Sequence, residues 1–191
     1  MKTLLSLLLL YGLFLSSVYA QNNKKGPPAD LVRTPFVPVD IAEPMDAFDQ
    51  IDVFLLMGQS NMKGRGVMPP EPLNDSQIVM MHRRSDEWFL ARNPLHLVGS
   101  PVDFSKSDNA GVGPGLTFAR MVAEKSPKTR IALIPCAVGG TALAKWQKGQ
   151  RLYEETIRKA RLALESGPQG KIRIAGALWL QGEADSNSPD R

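Results

Sequence analysis

The sequence is short of cysteine and histidine, and each shortage excludes a class of protein. Of its 191 residues, one is cysteine and two are histidine. The single cysteine, Cys136, cannot form an internal disulfide, so stability must come from apolar burial, for which about 170 residues suffice. No group of histidine, cysteine and acidic residues has the spacing of metal ligands. We therefore expect neither a metal nor an organic cofactor.

The sequence also lacks a large excess of either charge. The chain has 23 lysines and arginines against 19 aspartates and glutamates, and the basic residues are scattered rather than collected in a block with interleaved aromatics. Scattered charges are typical of solvated surfaces, whereas nucleic-acid-binding proteins concentrate them. We expect no nucleic-acid partner, and the pattern does not indicate an oligomeric state.

Residues 1–20 have the features of a signal peptide. Lys2 precedes an apolar stretch over residues 4–15, and Ala20 ends a cleavage site of the A-x-A type. The stretch is too short to span a bilayer. Residues 21–49 are rich in proline and are expected to form an extended linker. The sequence therefore predicts a secreted protein without membrane attachment after cleavage, whose folded domain occupies residues 50–191.

The domain alternates apolar runs of strand length with helical patterns. We predict strands at 51–57, 78–81, 131–135 and 172–180, helices at 116–125 and 151–165, and irregular structure over 88–97. This alternation predicts an α/β fold, a three-layer α/β/α sandwich around a central parallel sheet. The period of the second helix predicts a buried face of Tyr153, Ile157, Ala160 and Leu164.

Three of the predicted strands end in small polar turns. These turns carry Ser60, the pair Gly139 and Gly140, and Gln181. Because parallel strands present their carboxyl ends at one edge of a sheet, we expect a hydroxyl, a flexible backbone and a side-chain amide to meet there. Acyl transfer needs such a set, in which a serine attacks a carbonyl while N–H donors stabilise the oxyanion.

Other features permit two interpretations each. Glu183 and Asp185 can form a carboxylate pair for glycoside cleavage, but orientation of the Gln181 turn or capping is the better interpretation. Cys136 follows an apolar run without a basic neighbour, which favours a buried side chain over a thiol nucleophile. The glycine-rich segment 111–115 lacks the lysine of a phosphate loop and is expected to be a turn.

Aromatic and amide side chains are equally open to two interpretations. Trp88 and Trp146 can stack on sugar rings or pack in the core. Asn61 is expected to hydrogen-bond to the loop around the serine or to cap the helix that follows it.

Four motifs together resemble the SGNH hydrolase superfamily, in particular its sialate O-acetylesterase-like carbohydrate esterases, carbohydrate esterase family 6. They agree in order and spacing over about residues 51–187. The motifs are Gly58-Gln59-Ser60-Asn61-Met62, Gly111-Val112-Gly113-Pro114-Gly115, Pro135-Cys136-Ala137-Val138-Gly139-Gly140-Thr141 and Trp179-Leu180-Gln181-Gly182-Glu183-Ala184-Asp185.

The resemblance implies roles for these residues. Ser60 is the implied nucleophile, and its own N–H, Gly139 or Gly140, and Gln181 are the implied oxyanion donors. Supporting roles fall to the motif residues Gln59, Asn61, Glu183 and Asp185. The fold implied is the flavodoxin-like sandwich of the superfamily, without its last strand and helix.

The general base of the family is a histidine in an Asp-x-x-His or Asn-x-x-His segment close to the C-terminus, and no such segment follows the Gln181 turn in this sequence. Only two histidines are present. We expect His82 to be a solvated edge residue and His96 to be a structural or substrate-side residue. The alternative for His96 is a substitute base. A serine without a base is a weak nucleophile, so the chain is expected to be weakly active or inactive.

The sequence therefore predicts a serine-dependent esterase that removes O-acetyl groups from sugars or polysaccharides, with an acetylated carbohydrate as its partner. Two alternatives stay open. One is a carbohydrate-binding or structural remnant that keeps the pocket without the chemistry. The other is a lipase or thioesterase of the same superfamily.

Overall fold

A computed structural model of the chain describes residues 48–68, 75–96 and 110–186. The predicted signal peptide and nearly all of the predicted linker lie outside these residues. Within them, no helix combines the length and the apolar character that a membrane crossing requires.

The described residues form five strands and three α-helices. In chain order these are β1 (Gln50–Gly58), α1 (Ser60–Lys63), β2 (Ile78–Met81), β3 (Trp88–Leu90), α2 (Pro114–Lys125), β4 (Thr129–Pro135), a 3₁₀ helix (Leu143–Trp146), α3 (Arg151–Ser166) and β5 (Ile172–Leu180).

The strands form one sheet in the order β3-β2-β4-β1-β5, so that β1 lies between β4 and β5. β1 pairs with both neighbours in parallel, and β2 pairs with β4 in parallel. The carboxyl ends of β4, β1 and β5 therefore lie side by side at one edge of the sheet.

Helices cover both faces of the sheet and create two apolar cores. Successive residues of β1 point to opposite faces. Leu56 contributes to the core beneath α2, together with Leu116 and Ala119. Leu55 contributes to the core beneath α3, together with Leu152. The predicted three-layer α/β/α arrangement is confirmed.

The prediction of irregular structure over residues 88–97 is wrong at its start. The sheet is also mixed rather than wholly parallel. Trp88–Leu90 forms β3, which pairs antiparallel with β2. The hairpin closes where the His82 N–H donates to the Glu87 carbonyl at 2.8 Å, and Asp86 takes a positive φ of 59°. A three-residue strand without a glycine in its turn carries little signal in the sequence.

The buried face of α3 also differs from the prediction by one position along the helix. The fully buried residues are Leu152, Thr156, Lys159 and Ala163, while Leu164 is exposed. Thr156 is satisfied by donating to the Leu152 carbonyl at 2.8 Å. Lys159 forms an ion pair with Asp86 of the hairpin. These partners allow polar side chains to occupy positions that the hydrophobic period assigns to solvent.

Gln77 fastens the end of α2 to the sheet. Its side-chain amide donates to the carbonyls of Ser126 and Thr129, both at 2.7 Å. The last carbonyls of a helix have no partner within the helix. Gln77 therefore provides a hydrogen-bond donor at the end of α2 and fixes the connection between α2 and β4.

Candidate active site

The candidate nucleophile follows a glycine that no other residue can replace without strain. Gly58 ends β1 with φ at +129°, and a Cβ built there would lie 1.9 Å from the Leu180 carbonyl oxygen. The Gln59 N–H donates to the same carbonyl at 3.1 Å, and the Val138 N–H donates to the Gly58 carbonyl at 3.0 Å. The turns after β1, β4 and β5 are therefore joined by backbone hydrogen bonds.

Ser60 is the first residue of the four-residue helix α1 and is partly exposed. The Lys63 N–H donates to the Gln59 carbonyl at 2.9 Å, and the Gly64 N–H donates to the Ser60 carbonyl at 3.0 Å. Within the described part of the chain, no hydrogen bond satisfies the Ser60 hydroxyl. The hydroxyl is therefore free to approach a substrate.

Glu183 connects the β5 turn to the serine turn. Its carboxylate accepts hydrogen bonds from the side-chain amides of Gln59 and Asn61, the two residues that flank Ser60. The hydrogen bond from Gln59 is the main reason that the pKa of Glu183 is lowered. The side chain of Asn61 thus bonds to the turn after β5, and the N-cap residue of α1, Gln59, makes no side-chain capping hydrogen bond.

The turn after β4 lies against the serine through Gly139. A Cβ built on Gly139 would be 4.0 Å from the Ser60 Cβ and 3.3 Å from Nη2 of Arg65. Gly140 takes a positive φ of 71° but has open space around its Cα. A side chain at position 139 would make only ordinary van der Waals contact with Ser60, whereas the positive φ of Gly140 is a conformation that favours glycine. Arg65 was not predicted, although it lies only three residues after the serine motif.

Gln181 is held by the same turn. Its side-chain amide donates to the Thr141 carbonyl at 2.5 Å, and the second hydrogen of that amide has no acceptor among the described residues. The Thr141 hydroxyl donates to the Val138 carbonyl and accepts from the indole N–H of Trp146. The Gln181 amide is therefore fixed with one N–H still available.

Asp185 completes the link between the turns. Its carboxylate accepts the backbone N–H of Leu143 at 2.8 Å, which ties the β5 turn to the start of the 3₁₀ helix. Glu183 and Asp185 each bind other protein groups, which favours the orienting interpretation over a glycosidase pair. Thr141 and Trp146 take part in the same hydrogen-bonded network, a function that the sequence does not reveal.

The two histidines are both buried, so the expectation that His82 is a solvated edge residue is wrong. His82 is 3% exposed and is hydrogen-bonded to the side chain of Ser85. His96 is 1% exposed, and burial, with a smaller effect from the charge of Arg83, lowers its pKa to about 3. His96 is therefore neutral at physiological pH and has no access to solvent. Neither histidine is hydrogen-bonded to Ser60.

Three other candidates occupy structural positions. Cys136 is buried, and burial raises the pKa of its thiol, which disfavours a thiolate nucleophile. Trp88 and Trp146 are 7% and 5% exposed, and their indole N–H groups donate to Ser166 and Thr141. Both tryptophans pack in the core rather than on a sugar. Across residues 48–68, 75–96 and 110–186, no cluster of acidic, histidine or cysteine side chains could hold a metal ion.

Comparison with known proteins places this geometry among esterases. The model of the carbohydrate esterase family of sialic acid-specific acetylesterases matches residues 50–191. A probable carbohydrate esterase of Arabidopsis thaliana is 35% identical over 150 residues, which cover 70% of this chain and 54% of that protein. A probable 9-O-acetyl-N-acetylneuraminic acid deacetylase of Escherichia coli is 30% identical over 98 residues, which cover 41% of this chain and 29% of that protein.

Solved structures agree. An Arabidopsis thaliana protein superposes with a TM-score of 0.57 at 32% identity, over 70% of this chain and 58% of its own. The protein NanS superposes with a TM-score of 0.57 over 75% of this chain and 57% of its own, and at 22% identity it supports the fold alone. The chain spans about half the length, or less, of the curated relatives that it matches.

Proposed function

Because the chain belongs to the sialic acid-specific acetylesterase family of carbohydrate esterases, within the SGNH-like superfamily, we propose that its site removes O-acetyl groups from sugars or polysaccharides. The observation that carries the proposal is the joining of three turns at one edge of the sheet. They bring together an unbonded serine hydroxyl, a glycine backbone and a fixed amide.

In the proposed reaction, the Ser60 oxygen forms a bond to the acetyl carbonyl carbon. The backbone N–H of Ser60, an N–H of the Gly139 and Gly140 turn, and the remaining N–H of Gln181 stabilise the negative oxygen of the tetrahedral adduct. The bond to the sugar oxygen then breaks, and that oxygen leaves with the proton of the serine. Water cleaves the acetyl-serine ester, which releases acetate and restores Ser60.

A base must accept the serine proton, and the structure gives a reason to expect slow turnover. His96 is enclosed and neutral, and His82 is bonded to Ser85. General-base catalysis typically contributes about 10² to 10⁴ in rate. We therefore propose that the 191-residue chain, by itself, is a weak esterase whose Ser60-dependent rate is limited by deprotonation of the serine.

The proposal is tested by measuring acetate release from an acetylated oligosaccharide and from p-nitrophenyl acetate. Ser60→Ala should abolish the protein-dependent rate, and Gln181→Ala should reduce it by about 10² to 10³. The exposed Gln169→Ala is the matched control for Gln181 and should leave the rate unchanged. A rate that is the same in wild type and Ser60→Ala would refute the esterase proposal and leave the binding-remnant alternative.

Two further measurements separate the weak-esterase proposal from its alternatives. Added imidazole supplies a soluble base, so the difference in rate between wild type and Ser60→Ala should rise with imidazole concentration. A difference that does not respond would contradict the assignment of deprotonation as the limiting step. Esters with acetyl, butyryl and octanoyl groups test the lipase or thioesterase alternative, which predicts faster hydrolysis of the longer chains.

A further inference from the structure

The guanidinium group of Arg65 lies beside the candidate nucleophile, and the reaction described above does not use it. A Cβ built on Gly139 would be 3.3 Å from Nη2 of Arg65 and 4.0 Å from the Ser60 Cβ. The guanidinium group and the serine side chain therefore approach one point on the turn after β4. Arg65 is exposed, so an ester bound at this turn has access to its charge.

The backbone of Arg65 is fixed on both sides, although its side chain is exposed. The Gly64 carbonyl accepts the N–H of Gly111 at 3.0 Å. Gly66 and Val112 exchange two backbone hydrogen bonds at 2.9 Å and 3.0 Å, which form an antiparallel bridge. The side chain of Arg65 is therefore presented from a rigid segment rather than from a loose loop.

The glycine-rich segment 111–115 makes this rigid segment possible. A Cβ built on Gly111 would lie 2.3 Å from the Gly66 carbonyl oxygen and 3.2 Å from the Arg65 carbonyl carbon. Backbones approach this closely only where glycine removes the side chain. The segment that the sequence predicts only as a turn therefore also holds Arg65 in place.

A positive charge is favourable at this position because a negative charge is already close to the nucleophile. The Glu183 carboxylate accepts from Gln59 and Asn61, which flank Ser60. A tetrahedral adduct on Ser60 would add a second negative charge, and like charges at short range repel each other. A guanidinium group stays positively charged in proteins, so Arg65 offsets this repulsion.

We propose that Arg65 is a further catalytic residue of the esterase site, whose guanidinium group stabilises the negative oxygen of the acetyl adduct on Ser60. This inference rests on the proposed function. As the serine oxygen bonds to the carbonyl carbon, an electron pair of the carbonyl bond moves to its oxygen, which Arg65 faces with its charge and N–H groups. The pair returns when the bond to the sugar oxygen breaks. Arg65 gives up no proton, and the serine proton leaves with the sugar oxygen.

The kinetics of Arg65→Gln on p-nitrophenyl acetate test the proposal, with the rate of Ser60→Ala subtracted. Loss of a preorganised oxyanion donor typically costs about 10² to 10³ in rate. Because Arg65 is exposed and screened by solvent ions, we expect kcat to fall about 10-fold. KM should be unchanged, since the interaction forms only in the transition state. Arg65→Lys keeps the charge and should retain most of the rate. Arg161→Gln, which removes an exposed charge from α3, is the matched control and should have no effect.

Two further measurements report on the guanidinium group itself. Guanidinium chloride at low millimolar concentration should restore part of the rate of Arg65→Ala, whereas sodium chloride at the same concentration should not. Phenylboronic acid needs no turnover, because its boron bonds to a serine oxygen as a tetrahedral anion and the serine proton passes to solvent. Boron NMR should show this adduct about 10-fold weaker in Arg65→Gln than in the wild type, and absent in Ser60→Ala.

Gly139→Ala tests the placement of the guanidinium group over the turn. The added Cβ would lie 3.3 Å from Nη2, which is closer than an ordinary contact, so the flexible end of Arg65 must move away. The fall in rate caused by Gly139→Ala should therefore be larger in the wild type than in Arg65→Gln, as expected for residues in contact.

Four results would overturn the assignment. These are equal kcat and equal boronate affinity in wild type and Arg65→Gln, a raised KM with unchanged kcat, a rate of Arg65→Lys as low as that of Arg65→Gln, and an equal effect of Gly139→Ala in both backgrounds. Thermal unfolding checks that each variant is folded. A wild-type rate equal to that of Ser60→Ala refutes the esterase proposal, and the boronate adduct then tests Arg65 alone. A wild type that forms no Ser60-dependent adduct overturns the inference about Arg65 as well.

Discussion

The role of Glu183 can be tested by Glu183→Gln, which keeps the shape of the side chain but changes its hydrogen bonding. The two carboxylate oxygens of Glu183 accept from the amides of Gln59 and Asn61. A glutamine has only one oxygen, so one of these amides would face an NH₂ group instead of an acceptor. The variant therefore loses one of the two side-chain links between the β5 turn and the serine turn.

The expected loss of stability is small and the expected loss of activity is larger. One net hydrogen bond contributes about 0.5–1.5 kcal/mol, so the free energy of unfolding should fall by about 1 kcal/mol and the Tm by about 2–4 °C. Because small displacements of a nucleophile can cost up to about 10² in rate, the Ser60-dependent esterase rate should fall at least about 10-fold. Glu124→Gln, on the exposed face of α2, is the control and should change neither quantity.

The difference in stability between wild type and Glu183→Gln should depend on pH in a predictable direction. Hydrogen bonds from Gln59 and Asn61 lower the pKa of Glu183 from its ordinary value of 4.5. A carboxyl group with a lowered pKa in the folded state contributes stability that is complete above pH 4.5 and is lost as the pH falls through the lowered value. Urea unfolding of wild type and Glu183→Gln should therefore show a difference at pH 7 that narrows below pH 4.5. A difference that widens on acidification, or an unchanged esterase rate, would refute the reasoning.

The fold and the predicted processing of the chain give three more expected outcomes. Gln77→Ala removes two hydrogen bonds to the carbonyls of Ser126 and Thr129 and should lower the free energy of unfolding by about 2 kcal/mol. Chemical denaturation measures this free energy. An equal loss in the exposed control Gln147→Ala would contradict the role of Gln77 in joining α2 to the sheet. Gly58→Ala places a Cβ against the Leu180 carbonyl and should cost more than about 3 kcal/mol or prevent folding; a stable variant would disprove the crowding. Export with cleavage after Ala20 predicts that N-terminal sequencing of the secreted product starts at Gln21; an uncleaved product would contradict the signal-peptide prediction.

The long apolar strands could be predicted from their composition. β1 and β4 lie inside the sheet, and parallel strands buried on both faces are nearly uninterrupted apolar runs. β5 is an edge strand whose residues are exposed or half-buried, so its run of apolar residues predicted it without such burial. The observed bounds of the three strands, Gln50–Gly58, Thr129–Pro135 and Ile172–Leu180, agree with the prediction within two residues. β3 was missed because a strand of three residues leaves little pattern in the sequence. It is defined by its antiparallel pairing with β2.

The buried face of α3 could not be derived from its own sequence. The helical period assigns lysine and threonine to solvent, and Lys159 and Thr156 are nevertheless buried. Lys159 is neutralised by Asp86, 73 residues away in the chain. A charged side chain is buried only where it has such a partner. Because Asp86 and Lys159 are far apart in the sequence, the helical pattern of α3 cannot predict this ion pair.

The meeting of the three turns was predicted correctly, while the side chains that hold them together were not. Strand order brings the ends of β4, β1 and β5 together, and backbone hydrogen bonds join Gln59 to Leu180 and Val138 to Gly58. The catalytic roles of Ser60, Gly139 and Gln181 stay predictions. The expectation for His82 failed because neighbouring arginines suggested solvent, whereas the hairpin that buries His82 depends on β3.

The connections among the turns explain why residues without a direct chemical role occur in the same motifs as Ser60. Gln181 donates to Thr141, Asp185 accepts from Leu143, and Glu183 accepts from both neighbours of Ser60. Each link reduces the freedom of a turn that would otherwise have only backbone contacts. Oxyanion donors are effective when they are already oriented before the reaction. The edge of the sheet therefore acts as one preorganised unit. A substitution at Glu183 should alter the position of Ser60, although the carboxylate itself takes no part in the proposed chemical step.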